Sequence, residues 1–508
     1  MATTFKPNFA VIGSSSGEDV ILQNENGLSV TVPNNSQILD YKATTQPGPP
    51  QDRVVFFSAE PFAVSVSPGK SWNGQLEYSL SFDGSGPWTT LTGGATIQVA
   101  DAISLRGTGN TKITGGFPPE EAWQLTGNAI QSLGRLDALL DYNLTSQGIE
   151  PVMANNCYYN MFYGCTSLVT APALPATTLT QCCYWAMFHS CTSLINAPAL
   201  PATTMASSCY YEMFRGCSSL VNAPTLPGTT LMHGCYKSMF WGCTNLVNIS
   251  ELPAMTLANE CYTRMFYDCA SLVTAPALPA MTLTEFCYHT MFQGCTSLVN
   301  APALPATTLA DYCYRDMFTL CTSLITAPSL PAITLTNACY YSMFNNCSNL
   351  VNAPALPATT LANSCYRYMF SNCTSLFNAP ALPATALANY CYDDMFNGCT
   401  SLVNAPELPA TTLSNYCYYS MFIGCINLIT APTLPATTLM TSCYYNMFMN
   451  CTKSISMEVN FTVWSGASND TTSWVQNVAA SGTFRKPTAL SQAFGSNRIP
   501  AGWTVINK

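Results

Sequence analysis

The sequence has few charged residues. Asp, Glu, Lys and Arg make up 8% of its 508 positions, against roughly 25% in an ordinary globular domain. The 26 acidic and 17 basic residues leave a net charge of -9. A nucleic-acid-binding protein needs clustered cations to displace the counterions of the phosphate backbone. We therefore expect no nucleic-acid partner.

Long apolar runs are also missing. No stretch approaches the roughly 20 apolar residues of a membrane-spanning helix, so we expect no membrane insertion. The start, MATTFKPNFAVIG, lacks the basic region, the apolar core and the small-residue cleavage site of a secretory signal. With Met1 as the natural start, we expect assembly without export.

The residue patterns of catalytic sites do not occur either. The chain has no Gly-rich phosphate loop, no Ser-His-Asp arrangement and no cluster of metal ligands. Two acidic pairs, Asp393 with Asp394 and Asp311 with Asp316, stand at positions typical of solvent-facing residues. We therefore expect a protein that is not an enzyme and needs no metal or cofactor. A glycan-cleaving site at the junction of two domains is the alternative.

What the chain has in abundance is a repeated unit of 26 residues. Twelve cysteines recur at that interval from Cys157 to Cys443, and each is followed eight positions later by a second cysteine. A fixed period of 20 to 50 residues is typical of a solenoid, in which each unit buries its apolar face against its neighbours. Residues 151–456 are therefore predicted to form a solenoid of twelve coils.

Within each unit the apolar residues follow a helical spacing. With the first cysteine as position 1, Cys157, Tyr158, Met161, Phe162 and Cys165 occupy positions 1, 2, 5, 6 and 9. That spacing predicts a short helix that buries these residues on one face. The following segment, SLVTAPALPATTL, has two prolines and several β-branched residues. It predicts an extended run that pairs with neighbouring coils.

The 25 cysteines have three alternative roles. Metal binding is disfavoured because the spacing C-x7-C differs from the short zinc knuckle and the three histidines, His189, His233 and His289, do not recur with it. A disulfide within one helical unit would have to span about 12 Å. Disulfides between equivalent cysteines of adjacent coils remain compatible with a spacing near 4.8 Å. The third role is that of small buried apolar side chains.

The flanking segments lack the 26-residue period. Residues 1–50 are polar and interrupted by Gly and Pro, and we interpret them as a docking segment and linker. Residues 51–118 alternate apolar and polar positions between turns, which is typical of a β-sandwich. Residues 119–150 are predicted to bridge into the solenoid. Residues 457–508 are predicted to cap its exposed end.

The unit CYxxMFxxCTSLxxAPALPATTL resembles the BspA-like leucine-rich repeats. The flanking segments LEYSLSFDGSGPWTTL and WVQNVAASGTFRKP are similar to modules beside such repeats in surface proteins of gut Bacteroidales and in bacteriophages that infect them. The resemblance implies a leucine-rich-repeat-like solenoid that serves surface display and adhesion.

Phage structural proteins assemble in the host cytoplasm and need no export signal. We therefore expect a bacteriophage virion protein on the particle surface, either a head or tail fibre or a capsid decoration protein. Its expected partners are other virion proteins through residues 1–50, a host-cell glycan or protein, and further copies of itself. A bacterial cell-surface adhesin is the alternative. Cytoplasmic assembly also favours reduced thiols.

Positions 3, 4, 7 and 8 of the unit, and the three residues before each first cysteine, vary freely, so a recognition surface is expected there. Planar side chains concentrate at positions 3 and 7 of the first five units. Their flat apolar faces and polar edges suit contact with glycans or proteins. The alternative to recognition is that these positions face water and vary because nothing constrains them. For Trp241, the alternative is a ring packed on neighbouring apolar residues. The candidate residues are Tyr159, Tyr163, Trp185, His189, Tyr211, Arg215, Trp241 and Tyr267.

Overall fold

A computed structural model describes residues 49–67, 71–114, 122–454, 456–464 and 469–508. It also describes the backbone of three short strands near the N-terminus, which pair antiparallel in chain order. These are β1 Phe9–Val11, β2 Val20–Asn24 and β3 Ser29–Val32. The docking segment predicted for residues 1–50 otherwise lies almost entirely outside the described residues.

The next part of the chain forms a β-domain of two antiparallel sheets that share one apolar core. The strands are β4 Val54–Phe57, β5 Phe62–Ser65, β6 Gln75–Ser79, β7 Thr89–Thr90, β8 Thr96–Val99, β9 Ala102–Thr108, β10 Gln124–Thr126 and β11 Gln131–Gly134. One sheet has the order β10-β5-β8 and the other β11-β4-β9-β6-β7. Alternation is clearest in β8, where Ile97 and Val99 are buried and Thr96 and Gln98 are exposed.

Residues 119–150, predicted as a bridge, take part in this domain. They supply β10 and β11 and then a short helix, α1 Ala138–Ser146, which packs against β9. The β-domain also contacts the first repeat unit. The backbone N–H of Trp123 donates to the Met161 carbonyl at 2.8 Å. The Phe56 ring meets the Phe162 ring edge-to-face, with centres 5.7 Å apart. The β-domain therefore covers the N-terminal end of the stack.

The prediction of a short helix in each unit is wrong. Backbone N–H groups alternate between two kinds of acceptor: Tyr158 donates to Cys183 of the next unit at 2.8 Å, whereas Met161 donates three residues back to Tyr158 at 3.2 Å. Positive φ angles recur every four residues, at Asn160 (55°) and Gly164 (74°) in the first unit. An α-helix sends its N–H groups four residues back within itself. Here every second backbone N–H donates to a carbonyl of the next unit, so the segment is a series of tight turns.

The burial predicted from the same spacing is confirmed. Every Cys, Tyr, Met and Phe at positions 1, 2, 5, 6 and 9, from Cys157 to Cys451, is at most 2% exposed. Equivalent rings of successive units stack, for example Tyr288 with Tyr314 and Phe292 with Phe318, both at 5.7 Å. A four-residue turn and a 3.6-residue helix bury the same positions over nine residues. The two backbones could therefore not be distinguished from the pattern.

The 25 cysteines are free thiols in the structure, and Cys182 alone is not fully buried. The thiol at position 9 donates to the carbonyl at position 6 of the preceding unit, as Cys295 does to Phe266 at 3.1 Å. Burial raises the pKa of these thiols, to about 12 for Cys165. Since the thiolate is the reactive form, the buried cysteines of the repeats are chemically inert while the protein is folded.

The extended half of each unit pairs in parallel with its neighbours, as predicted. Bridges join equivalent residues of successive units, such as Thr170 with Asn196 and Thr178 with Thr204. Because proline has no N–H to donate, the two prolines present in most units limit this pairing to isolated bridges.

Residues 457–508, predicted as a cap, extend the stack after the sequence period ends. Four parallel strands follow one another in the sheet: β12 Thr430–Leu434, β13 Ser456–Val459, β14 Thr483–Lys486 and β15 Thr504–Asn507. The turn pattern also continues, since the Phe448 N–H donates to the Trp474 carbonyl at 2.8 Å. Trp474 is fully buried against Tyr444 and Phe448. The Trp474 ring therefore covers the last members of the tyrosine ladder and the phenylalanine ladder, the two series of stacked rings in the core. The part of the chain that the structure describes has no helix with the length and apolar character of a bilayer crossing.

Candidate recognition face

The turns decide which side chains face outward. Because positions 1, 2, 5 and 6 point into the core, the remaining turn positions form a surface along the stack. We call this surface the turn face; it consists of positions 3, 4, 7 and 8 and the residue that precedes the first cysteine of each unit.

The aromatic candidates lie on the turn face, but their rings cover one another. Trp185 stacks on Tyr159 at 5.5 Å and on Tyr211 at 4.0 Å, and Tyr163 stacks on His189 at 4.5 Å. Tyr159 is 8% exposed and therefore buried, which removes it from the expected recognition surface. The other four are half-buried. They present ring edges to the outside, because the next unit occupies their faces.

The remaining candidates, Arg215, Trp241 and Tyr267, form a second group. The Arg215 guanidinium lies 3.7 Å from the centre of the Trp241 ring and pairs with Glu212 at 2.7 Å. Trp241 and Tyr267 meet at 5.0 Å with their planes tilted by 57°. Trp241 therefore packs under the Arg215 guanidinium and against the Tyr267 ring.

Sequence reasoning missed that the aromatic row continues to the end of the stack. It does so chiefly at the residue before the first cysteine and again at position 3, because neighbouring turn positions lie side by side in space. A search for an aromatic residue directly before each first cysteine would have found most of these. The missed stacked pairs are Phe286–Tyr312, Tyr390–Tyr416 and Tyr419–Tyr445, with ring centres 4.7, 4.6 and 4.7 Å apart.

A groove of about 450 Å³ opens on the turn face where the aromatic row shifts from position 7 to the residue before the first cysteine. It brings together two of the predicted residues with cations and amide or hydroxyl groups that the sequence did not single out. Its lining consists of Trp241, Arg264, Tyr267, His289, Thr290, Gln293, Arg315 and Asp316.

The groove is electropositive. Arg315 pairs with Asp316 at 3.1 Å and lies 4.5 Å above the Tyr341 ring. Arg264 forms no ion pair with any residue that the structure describes. Burial, together with Arg264 and Arg315, lowers the pKa of His289 to about 4, so its imidazole is neutral at neutral pH. One guanidinium is thus left uncompensated.

The aspartate doublet was expected to face solvent, and this is wrong. Asp393 is 1% exposed and Asp394 is 7% exposed, because rings and cations of neighbouring coils cover them. The Arg367 Nε lies 2.9 Å from an Asp393 oxygen, and the Asn397 amide donates to Asp394 at 2.8 Å. Burial outweighs these contacts and raises the pKa of Asp393 to about 8. The two carboxyl groups therefore retain a proton at neutral pH.

This pair predicts a fall in stability as the pH rises. The pKa of Asp393 in the folded protein is about 8, against about 3.9 in an unfolded chain. Its contribution is full below about pH 4 and is lost as the pH rises through about 8. Between about pH 6.5 and about pH 7.5 we expect the contribution of Asp393 to the free energy of unfolding to drop by about 1 kcal/mol. In urea titrations, the change in stability between these two pH values should therefore differ by about 1 kcal/mol between wild type and Asp393→Asn.

The pH range of the test begins at about pH 6.5 because, at lower pH, His189 and His289 make the free energy of unfolding rise with pH. Burial lowers their folded-state pKa to about 4, so their contribution is lost as the pH falls below about 6.5. The control is Glu407→Gln, which changes an exposed carboxylate and should keep the wild-type slope. An equal slope in wild type and Asp393→Asn would contradict the assignment.

The turn face offers chemical groups that are suited to recognition. No three His, Cys, Asp or Glu side chains converge as metal ligands in the described part of the chain. Asp393 and Asp394 hydrogen-bond to each other, whereas the two carboxyl groups of a glycosidase stand about 5 to 9.5 Å apart. Stacked rings, guanidinium groups and amides on an open surface are suited to binding a partner.

Comparison with known proteins identifies the repeats. Residues 153–299, 233–351, 259–394 and 367–465 each match the family described as "BspA type Leucine rich repeat region (6 copies)". No curated protein sequence matches the chain. Among solved structures, "Crystal structure of TLR13-ssRNA13 complex" has a TM-score of 0.26 and 12% identity over 63% of this chain and 47% of that chain. This chain thus spans about half the length of that one. Because the family segments together cover residues 153–465, more than half of its length, the chain belongs to the BspA-type leucine-rich repeat family.

Proposed function

We propose that the protein is a non-enzymatic attachment protein. In this proposal, a stack of twelve coils closed by residues 457–508 presents its turn face to a glycan or protein of a host cell. The observation that carries the proposal is the row of aromatic and cationic side chains along the whole turn face. The core positions of the same turns hardly vary.

Contacts between guanidinium groups and rings recur along this row. Arg215 lies over Trp241 at 3.7 Å, Arg315 over Tyr341 at 4.5 Å and Arg367 over Tyr368 at 4.9 Å. Such pairs hold flexible arginines in place before a partner arrives, which reduces the entropy lost on binding. Tyr, Trp and Arg are also the residues enriched where proteins bind partners. The turn face therefore has the composition of a preorganised binding surface.

We propose the surface of a bacteriophage particle as the setting, with residues 1–50 docked on other virion proteins and the protein assembled from several copies. The support is the resemblance of the flanking segments to modules of phage and bacterial surface proteins. A bacterial cell-surface adhesin has the same fold requirements and is the second candidate. Antibodies against the repeats should label purified phage particles. Label confined to uninfected cells would favour the adhesin.

The attachment role is tested by changing half-buried rings of the turn face. The triple variant Tyr163→Ser, Tyr211→Ser and Tyr419→Ser removes three rings, and each is expected to contribute about 1 kcal/mol to a contact. Binding of the full chain to host cells should weaken about tenfold or more, while the melting temperature falls by only a few degrees.

The matched control lies on the extended side of the coils. Ile325, Val351 and Phe377 are 48%, 41% and 50% exposed, and changing all three to Ser should leave cell binding intact. Equal binding by wild type and the tyrosine variant, at unchanged stability, would reduce the repeats to a spacer. Equal loss in both variants would show that neither face is specific.

A further inference from the structure

We propose that the groove on the turn face binds an acidic sugar, a pyranose ring that carries a carboxylate. This inference rests on the proposed attachment function and specifies the ligand class of one part of that surface. The groove volume of about 450 Å³ lies within the roughly 300 to 1,000 Å³ of small-molecule sites.

The carboxylate is assigned to Arg264. Its guanidinium lines the groove and has no carboxylate partner among the described residues, in contrast to Arg215, Lys237, Arg315 and Arg367 on the same face. A guanidinium offers two parallel N–H donors that match a carboxylate. In a chain with a net charge of -9, this unpaired cation is a local attraction for an anion.

The ring of the sugar is assigned to Trp241 and Tyr267. Two guanidinium groups lie over the Trp241 indole, with Arg215 3.7 Å and Arg264 5.7 Å from the centre of the ring. The tilt of 57° between the Trp241 and Tyr267 rings leaves an angled aromatic wall along the groove. Aromatic surfaces with polar edges accommodate the apolar face of a pyranose and leave its hydroxyl groups free to hydrogen-bond.

The hydroxyl groups find neutral hydrogen-bonding partners in the same groove. His289 is uncharged because burial lowers its pKa to about 4, so its ring has one donor and one acceptor nitrogen. The Gln293 amide also lines the groove and supplies both kinds of group. A cation, an aromatic wall and neutral amide or imidazole groups together match a sugar acid.

An acidic peptide fits this groove less well. Peptides that bind in extended form use the free backbone edge of the receptor. Here the Arg264 N–H already donates to His289 and the Thr290 N–H to Arg315, both at 2.9 Å. The backbone of the groove is therefore committed to contacts between coils, and side chains alone face the ligand.

The test uses the full chain and two acidic glycans, trigalacturonate and sialyllactose, each beside its methyl ester. Esterification removes the negative charge and keeps the ring. By isothermal titration calorimetry we expect at least one of the acids to bind about tenfold or more tightly than its ester, as one charged hydrogen-bonding pair implies. Arg264→Gln should abolish that preference. Arg485→Gln, which changes an exposed arginine on β14, should preserve it.

Three results would overturn the inference: equal binding of acid and ester, no binding of either acid, or equal binding of a glutamate tripeptide. None of these affects the attachment proposal, because the tyrosine variant used to test it changes residues outside the groove. If cell binding survives that variant but the acid preference depends on Arg264, the groove is a sugar site and the rest of the turn face is not an attachment surface.

Discussion

Raising the pH from about 7.5 to about 9.5 is expected to unfold the repeat stack. Burial raises the pKa of the core thiols, to about 12 for Cys165, Cys209 and Cys261, against about 8.5 in an unfolded chain. The native protein therefore keeps protons that the unfolded chain releases. The stabilisation is full below about pH 8.5 and is lost as the pH rises above it.

The expected effect is large because each unit contains two such thiols. At about pH 9.5, each thiol lowers the free energy of unfolding by about 1.4 kcal/mol, or about 3 kcal/mol per unit. In a solenoid the contributions of units add up, and the total stability of a domain is only about 5 to 15 kcal/mol. The midpoint of thermal unfolding, followed by near-ultraviolet circular dichroism in a reducing buffer, should fall steeply above about pH 8.5.

Salt separates this effect from general charge repulsion. The chain carries a net charge of -9, and repulsion between exposed charges is screened at about 1 M salt. Proton release from the thiols of the unfolded chain depends little on that screening, so the alkaline loss should persist at high salt. A midpoint that is unchanged at about pH 9.5, or a loss that disappears in salt, would mean that the thiols do not control stability.

Replacing a single ring of the phenylalanine ladder should destabilise the stack more than any surface change. Phe292 is fully buried between Phe266 and Phe318, with ring centres 5.6 and 5.7 Å away. Phe292→Ala removes both stacking contacts and leaves a cavity that the neighbouring units cannot fill. We expect a loss of about 3 to 5 kcal/mol in urea titrations.

A phenylalanine on the other side of the stack provides the matched control. Phe377 is 50% exposed, and Phe377→Ala should cost less than about 1 kcal/mol. Phe292→Leu keeps most of the buried volume and gives a milder variant if Phe292→Ala does not accumulate. Comparable losses at both phenylalanines would show that the ladder does not carry the stability of the stack.

Whether a structural feature could be predicted from the sequence depends on how local that feature is. The period, the buried positions and the extended segment follow from contacts between identical units, so the sequence pattern was sufficient for them. The helix was wrong because burial at positions 1, 2, 5, 6 and 9 is common to a helix and to consecutive turns. The backbone distinguishes the two, because every second N–H donates to the next unit, as Tyr158 does to Cys183, and positive φ angles recur every four residues.

The candidate site was predicted in part for a related reason. The first aromatic residues of the turn face were visible because they recur at fixed positions of the unit. The later ones, such as Tyr312 and Tyr416, occupy a different position that becomes adjacent only after folding. Arg264 was overlooked because a single arginine in a variable position has no signature of its own.

The sequence by itself therefore determined that this protein is a stack of like units with a Cys, Tyr, Met and Phe core, because each unit can bury those residues only against its copies. The tertiary structure decided which outer side chains meet. Hydrogen bonds between units set the offset of successive turns, and that offset places Arg264 in the groove with Trp241 and buries Asp393 beside Arg367. Contacts between different positions of different units depend on this offset, and the pattern within one unit does not contain it.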